Sequence, residues 1–323
     1  MRRRFRRHRL TLLALMLVSM SAGPQMASAA DVLRVGRPQA DSFSFVPLDV
    51  GIDQGIFKRH GLEIETTNVA GDAKLQQAMA ADAVDVGLGS GPAMAFIAKG
   101  VPALAIAAQA NQPLLLVMVV QRDGPIKTVA DLKGKRIAIS TAGSLPEWLV
   151  RETSRQQGWG PDGIDVVALG VNPAQIAALK TKQVDGMVAS VAASYKLADD
   201  GTARTLATFG NIVSDFHIGI IYATDKAIAA HPDDLRNFLA GWFETIAFLR
   251  QHKDVMVKKA AEIMNVTPAI ASRTYDDLMP MFSADGRFNP KALAVLARSF
   301  VETGELDHEP DMSKLYTTRF LPN

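Results

Sequence analysis

Val84-Asp85-Val-Gly-Leu-Gly-Ser90 is followed 100 residues later by Val184-Asp185-Gly-Met-Val-Ala-Ser190, and this echo constrains the fold more than any other feature. Each copy reads as a short buried strand ended by small residues. Each is preceded by an amphipathic helical stretch, Leu75 to Ala81 and Ile176 to Lys182. Leu33-Arg-Val-Gly is repeated more loosely in Lys135-Arg-Ile-Ala. A period this long is not a solenoid unit, so it implies two similar lobes. Ligands of open α/β sheets bind beyond the carboxyl ends of the strands, where both copies place a small polar loop. Two such lobes set face to face enclose a cleft.

Strands alternating with helical stretches along the first two thirds predict an α/β fold on mainly parallel sheets. Val32 to Val35 and Leu62 to Val69 read as strands, with a helical, turn-rich segment from Phe45 to His60 that stops at Gly61. Asp72 is expected to cap the next helix, and Pro92 to open the one ending near Lys99-Gly100. Ala103 to Ala107 and Leu114 to Val120 are further strands. The polar stretch Gln121-Arg-Asp-Gly-Pro-Ile-Lys127 then reads as a crossing to the second lobe, with a return crossing near residues 209–217. In the second set, strands near Asp165 to Leu169 and Val184 to Ala189 flank a helix capped by Asn172. Phe216 to Tyr222 reads as a strand returning to the first lobe. Helices follow, and Leu235, Phe238, Leu239, Trp242, Phe243 and Ile246 give one of them an apolar stripe of core residues. Thr267-Pro268 and Asn289-Pro290 begin two more. The expected division is a leader over 1–29, a first lobe over 30–121, a second over 122–216, and a return with C-terminal helices over 217–323.

Lys135-Arg-Ile-Ala-Ile-Ser-Thr-Ala-Gly-Ser144 leads from a strand through small polar residues into a helix. Ser144 with Glu147 has the spacing of a capping box, and Pro146 suits a first turn. The free N–H groups of such a helix start, with hydroxyls at Ser140, Thr141 and Ser144, would receive an anionic or strongly accepting ligand group. Trp148, four residues into this helix, is expected in the core.

Six arginines crowd the first nine residues, and Leu10 to Val18 follows as an apolar run too short to span a bilayer. With the small-residue site Ala27-Ser28-Ala29 this is the pattern of a cleavable export signal, the mature chain starting near Ala30. Without those arginines 29 basic residues face 33 acidic ones, so no electrostatic footprint for nucleic acid or anionic membrane remains. The chain has no cysteine, which excludes disulfides, thiol catalysis and Cys-ligated zinc. No hydrolase elbow, metalloprotease, phosphate-loop or dinucleotide motif is present, and the histidines at 60, 217, 231, 252 and 308 lack metal-ligand spacing. The expectation is a monomer with no metal, no cofactor and no catalytic residues.

Several stretches together resemble the periplasmic substrate-binding proteins of nitrate/sulfonate/taurine-type ABC transporters. They are Asp53-Gln-Gly-Ile-Phe-Lys-Arg-His-Gly-Leu-Glu-Ile64, where Ile56 takes a place usually aromatic; Val84-Asp-Val-Gly87 with Gly89-Ser90-Gly91-Pro92; Ile126-Lys-Thr-Val-Ala-Asp-Leu-Lys-Gly-Lys-Arg-Ile-Ala138; Gly143-Ser144; and Gln183-Val-Asp185. The resemblance implies a type II periplasmic-binding fold, two α/β lobes around an interdomain cleft, closing on a small molecule for delivery to an inner-membrane permease. It places ligand contacts at Arg37, Gln39 and Ser42; at Gly89, Ser90 and Gly91; at Thr141, Gly143 and Ser144; and at Ser190 and Tyr195. His217, on the returning strand, is a further candidate. The expected ligand is a small organic anion such as a sulfonate, taurine or nitrate. A pyrimidine-like or aromatic solute, a role as ligand sensor, and an enzyme on the same fold are the alternatives. Ser190-Val-Ala-Ala-Ser-Tyr195 stands where sulfonate-type relatives often carry Trp-x-Pro, which weighs against an alkanesulfonate.

Overall fold

The structure is a computed structural model describing residues 31–170 and 172–322. The expected export signal lies outside these residues. Among the described residues ten strands run in chain order: β1 (Asp31–Arg37), β2 (Leu62–Asn68), β3 (Val86–Ser90), β4 (Ala103–Ala110), β5 (Leu116–Gln121), β6 (Arg136–Ile139), β7 (Asp165–Ala168), β8 (Gly186–Ser190), β9 (Ala203–Thr208) and β10 (Gly219–Thr224). They form two five-stranded sheets, ordered β2-β1-β3-β10-β4 and β7-β6-β8-β5-β9. In the first, β1 is parallel to β2 and β3 while β10 is antiparallel to β3 and β4. In the second, β6 is parallel to β7 and β8 while β5 is antiparallel to β8 and β9. The two orders are one pattern. Each antiparallel strand is the first that the chain forms after changing lobes, and β3 and β8, the two copies of the echo, hold the same central place.

The echo has a side-chain cause. Asp85 accepts the backbone N–H of Arg34 at 2.9 Å, and Asp185 accepts that of Arg136 at 2.8 Å. Each carboxylate thus satisfies a donor on the neighbouring strand that the ladder leaves open. Each arginine in turn reaches the carbonyl of a residue in left-handed backbone: Arg34 donates to Asp82 (φ 56°) at 2.7 Å and Arg136 to Lys182 (φ 61°) at 3.2 Å. Arg34 also grips Asp85 through Nε at 2.9 Å and Nη2 at 2.6 Å, whereas Arg136 Nε stands 3.8 Å from Asp185. Burial opposes ionisation of Asp85, but these bonds outweigh it and hold its carboxyl below the ordinary value.

The first crossing lies elsewhere than expected. Leu116–Gln121, placed by sequence in the first lobe, pairs with β8 and β9 in the second sheet, so the chain crosses at residues 111–115. The Gly/Pro-bearing stretch 121–127 only leaves that strand. It enters a short 3-10 turn, Val129–Leu132, where Thr128 and Asp131 form a capping box.

The apolar stripe of the helix Pro232–Gln251 is buried throughout, against the first lobe. Phe238 stacks on Phe57 with ring centroids 5.3 Å apart, and a Cβ on Gly241 would stand 2.8 Å from the Phe57 ring. The aromatic of the Gly-Ile-Phe passage is therefore a packing residue. Thr267 and Asn289 cap their helices as expected, accepting from Ile270 N at 3.3 Å and Lys291 N at 2.9 Å. These C-terminal helices also brace the second lobe. Trp148 is buried, stacks on Phe216 at 5.2 Å and donates Nε1–H to Glu302 at 2.7 Å, while Arg298 pairs with Glu152 at 3.1 Å. No described helix is long and apolar enough to cross a membrane.

Candidate functional site

β3 and β8 end at Ser90 and Ser190, and both serines open into a cleft of about 460 Å³ between the lobes. The first lobe supplies Pro38 to Phe45 at the exit of β1, with Gly71, Asp72, Gly89, Ser90 and Gln109. The second supplies Leu115, Leu116, Leu145 and Ser190 to Ala192, and the C-terminal helices supply Met264, Thr274 and Leu278. Phe43, Phe45 and the leucines make apolar walls of the kind that line small-molecule sites.

Of the candidate residues, the structure brings together Gln39, Ser42, Gly89, Ser90 and Ser190 around this space. Ser42 and Ser190 also cap local turns, accepting from Ser44 N at 3.4 Å and Ala193 N at 3.2 Å. The others lie outside its lining. Arg37 is buried behind it and gives its guanidinium to Asp49 at 2.5 and 3.1 Å and to Asn68 at 2.5 Å, so its charge is already matched. Gly91 meets the returning chain: its N–H donates to Ile218 at 3.1 Å, and a Cβ there would stand 1.8 Å from the His217 carbonyl oxygen.

The start of the helix Leu145–Gln156 differs from expectation. Ser144 is the N-cap residue but makes no side-chain cap bond; its hydroxyl is 3.5 Å from that of Ser140. Glu147 reaches past Ser144 to accept the N–H of Gly143 at 2.7 Å and is held by Arg151 at 2.8 Å. The expected box does not form, because the Ser144 N–H is already donated to the Thr141 carbonyl at 3.3 Å, which leaves the Gly143 N–H for the carboxylate. One donor offered to an anion is consumed, and a negative charge sits where the anion was to go. Thr141 is exposed, and Thr141, Gly143 and Ser144 do not line the cleft, whereas Leu145 does.

Tyr195 belongs to a brace between lobes. Its hydroxyl donates to Asp277, Arg273 lies 3.8 Å over its ring, and Arg273 pairs with Asp199 at 3.0 Å. Burial and the Asp277 carboxylate push the phenol up to about 12. His217 is fully buried: Nε2 accepts the N–H of Asn289 at 2.9 Å, and Nδ1 lies 3.1 Å from Asn111 Oδ1. Desolvation brings its pKa down to about 4, against opposing effects of Asn289 and Asp215.

Asp72, Gln109 and Thr274 line the cleft outside the residues expected from sequence, and Tyr222 lies behind them. Asp72, expected as a helix cap, is instead the first residue of the helix Asp72–Ala80, behind a Gly71 cap, and its Oδ1 accepts the N–H of Ser90 at 3.1 Å. Although Asp72 is only half-buried, the protein around its carboxyl raises its pKa, an effect the Ser90 bonds reduce. Tyr222 seals the floor, donating its hydroxyl to the Ser90 carbonyl at 2.5 Å; burial and Asp72 raise it far above its usual range. Gln109 is fully buried and donates Nε2–H to the Ser44 carbonyl at 2.7 Å, leaving Oε1 without a partner among the described residues. Thr274 Oγ1 is likewise buried without a partner among those residues. A lone glutamine in the alanine-rich run Ala103–Ala110 was a visible sign.

Two pseudo-symmetric α/β sheets with a cleft at their strand ends define the periplasmic binding protein fold, as expected. The chain belongs to the NMT1/THI5-like family, whose model matches residues 42–255. It is similar to the periplasmic aliphatic sulphonate binding protein SsuA of Escherichia coli, with 21% identity, 89% of this chain and 92% of that one covered, and a TM-score of 0.77. The alkanesulfonate-binding protein SsuA of Xanthomonas axonopodis pv. citri, solved with MOPS, matches at 20% identity over 90% of this chain and all of its own, with a TM-score of 0.71. In sequence, 140 residues are 29% identical to a Haemophilus influenzae protein named "Putative thiamine biosynthesis protein". That match spans 43% of each chain, less than half the relative's length. The desulfurization enzyme DSZB also shares the fold, at 14% identity and a TM-score of 0.62.

Proposed function

We propose that this protein is a solute-binding receptor of the periplasm, a monomer that traps a small organic molecule between its lobes and delivers it to an inner-membrane ABC permease. The cleft at the ends of β3 and β8 carries this reading. It joins loops from both lobes and the C-terminal helices around one space of about 460 Å³, which suits a single small organic molecule. Gln39, Ser42, Gly89, Ser90 and Ser190 act as ligand contacts in this reading. Arg37, Gly91 and His217 fix the surrounding loops, and Tyr195 ties the lobes together. Sulfonates are what the SsuA proteins bind; for this chain the organic anion expected from sequence would rely on helix-terminal donors, one of which Glu147 already takes. A pyrimidine-like or aromatic solute is the reading that the apolar walls and the acceptors Asp72 and Gln109 favour.

The test is a thermal-shift screen of the purified chain against sulfonates, taurine, nitrate, aromatic acids and amino-heterocycles. A ligand at about 100 times its dissociation constant adds about 2.7 kcal/mol to stability. A shift from one class, lost on Ser190→Trp, is the expected result. Chemical turnover of any compound in the same wells would replace the receptor by an enzyme on this fold.

A further inference from the structure

The cleft is lined by two carboxylates, Asp41 and Asp72, and by no lysine, arginine or histidine among the described residues. Neither carboxylate has an ion-pair partner among those residues, and Asp72 lies on the floor, where a Cβ on Gly89 would come within 2.9 Å of its Oδ1. An anion placed here would meet the like charge of Asp72, which among the described residues is offset by the Ser90 N–H and by no cationic side chain.

Gln109 points the same way independently. Its amide orientation is fixed, because turning it over would set Oε1 against the Ser44 carbonyl oxygen now receiving Nε2–H at 2.7 Å. Oε1 is therefore a buried acceptor with no donor among the described residues, on a side chain that lines the cleft. A buried acceptor left open is costly unless something supplies a hydrogen to it. The hydroxyl of Thr274, which also lines the cleft, has no partner among the described residues either.

We infer that the ligand is a small organic cation whose N–H groups meet Asp72 and Gln109 while its apolar body lies against Phe43, Phe45 and the cleft leucines. This rests on the receptor reading and names the ligand's charge within it. Asp72 neutralises the charge and Gln109 Oε1 selects for a second N–H. An amine or amidine joined to a flat ring satisfies both; a sulfonate or nitrate satisfies neither.

The experiment is isothermal titration of the purified chain with probes of equal size and different charge: benzamidine and 4-aminopyridine as cations, benzamide as the neutral analogue, benzoate and benzenesulfonate as anions. The cations bind and the anions do not. Asp72→Asn weakens the cations about 10- to 100-fold, the loss of one charge-assisted contact, while the variant melts cooperatively at or above the wild-type temperature, which shows that it is folded. Anions binding as tightly as the cations, or unchanged cation affinity in Asp72→Asn, overturns the inference and leaves the receptor reading standing. Heat from none of the probes, with no melting shift across the wider screen, overturns both.

Discussion

His217 makes the protein acid-sensitive in a way that can be computed from its surroundings. With Nε2 accepting from Asn289 and Nδ1 facing the Asn111 carbonyl oxygen, the ring is held in the neutral form that carries its proton on Nδ1. A second proton would have no acceptor at Nε2 and would be buried. Desolvation first of all brings the pKa from 6.5 in the free side chain to about 4 in the fold. The folded state therefore binds fewer protons than the unfolded one, and the stability involved is complete above pH 6.5 and is lost as pH falls from 6.5 to about 4. At about 1.4 kcal/mol per unit the full loss is about 3 kcal/mol, and about 2 kcal/mol is gone by about pH 5. Urea unfolding at pH 7.5, 6 and 5 measures it. Carboxylates contribute their own acid dependence, so the comparison is with His217→Gln, which keeps one donor and one acceptor but does not titrate. The wild type loses about 2 kcal/mol more than the variant between about pH 6.5 and 5. Parallel pH profiles would refute the assignment of a buried neutral imidazole.

Other outcomes follow from single contacts. Gly91→Ala puts a methyl 1.8 Å from the His217 carbonyl oxygen, a backbone atom that cannot turn aside. Its cost is about 3 kcal/mol or more by chemical denaturation, against about 1 kcal/mol for Gly100→Ala, where only the positive φ is strained. Asp85→Ala costs about 2–3 kcal/mol and Asp185→Ala about 1 kcal/mol, because Asp85 holds Arg34 through both its main chain and its guanidinium and its side chain is 15% exposed against 33% for Asp185. Asp72→Asn raises the melting temperature of the ligand-free chain at neutral pH. The raised pKa of Asp72 means that its penalty grows as pH rises through the folded-state value and disappears below the unfolded one, so the advantage of the variant shrinks in acid. Equal melting at all pH values would show that the carboxylate is not desolvated.

The echo around Asp85 and Asp185 revealed the two lobes because the same local job, satisfying one strand-edge amide, demands the same residue twice. Periodicity likewise exposed the Phe238–Trp242 stripe. The first crossing was misplaced because a Gly/Pro-bearing polar stretch marks any turn, and whether β5 pairs with one sheet or the other depends on long-range partners. Ser144 and Glu147 matched a spacing that two geometries share, and the carboxylate took the other one. Asp before a helix is usually its cap; that Asp72 turns instead to the Ser90 amide depends on β3 lying beside it. Arg37, Tyr195 and His217 carry chemistry a ligand site could use, but Asp49, Asp277 and Asn289, distant in sequence, decide where that chemistry is spent.

Native mass spectrometry of the chain purified without denaturation, beside its Ser190→Trp variant, tests most directly whether the cleft holds a small solute. The account predicts one small molecule per chain, bearing N–H groups, released on unfolding of the wild type and absent from the variant. An equal load on both proteins, or a wild type that carries nothing and binds no member of the solute screen, would contradict it.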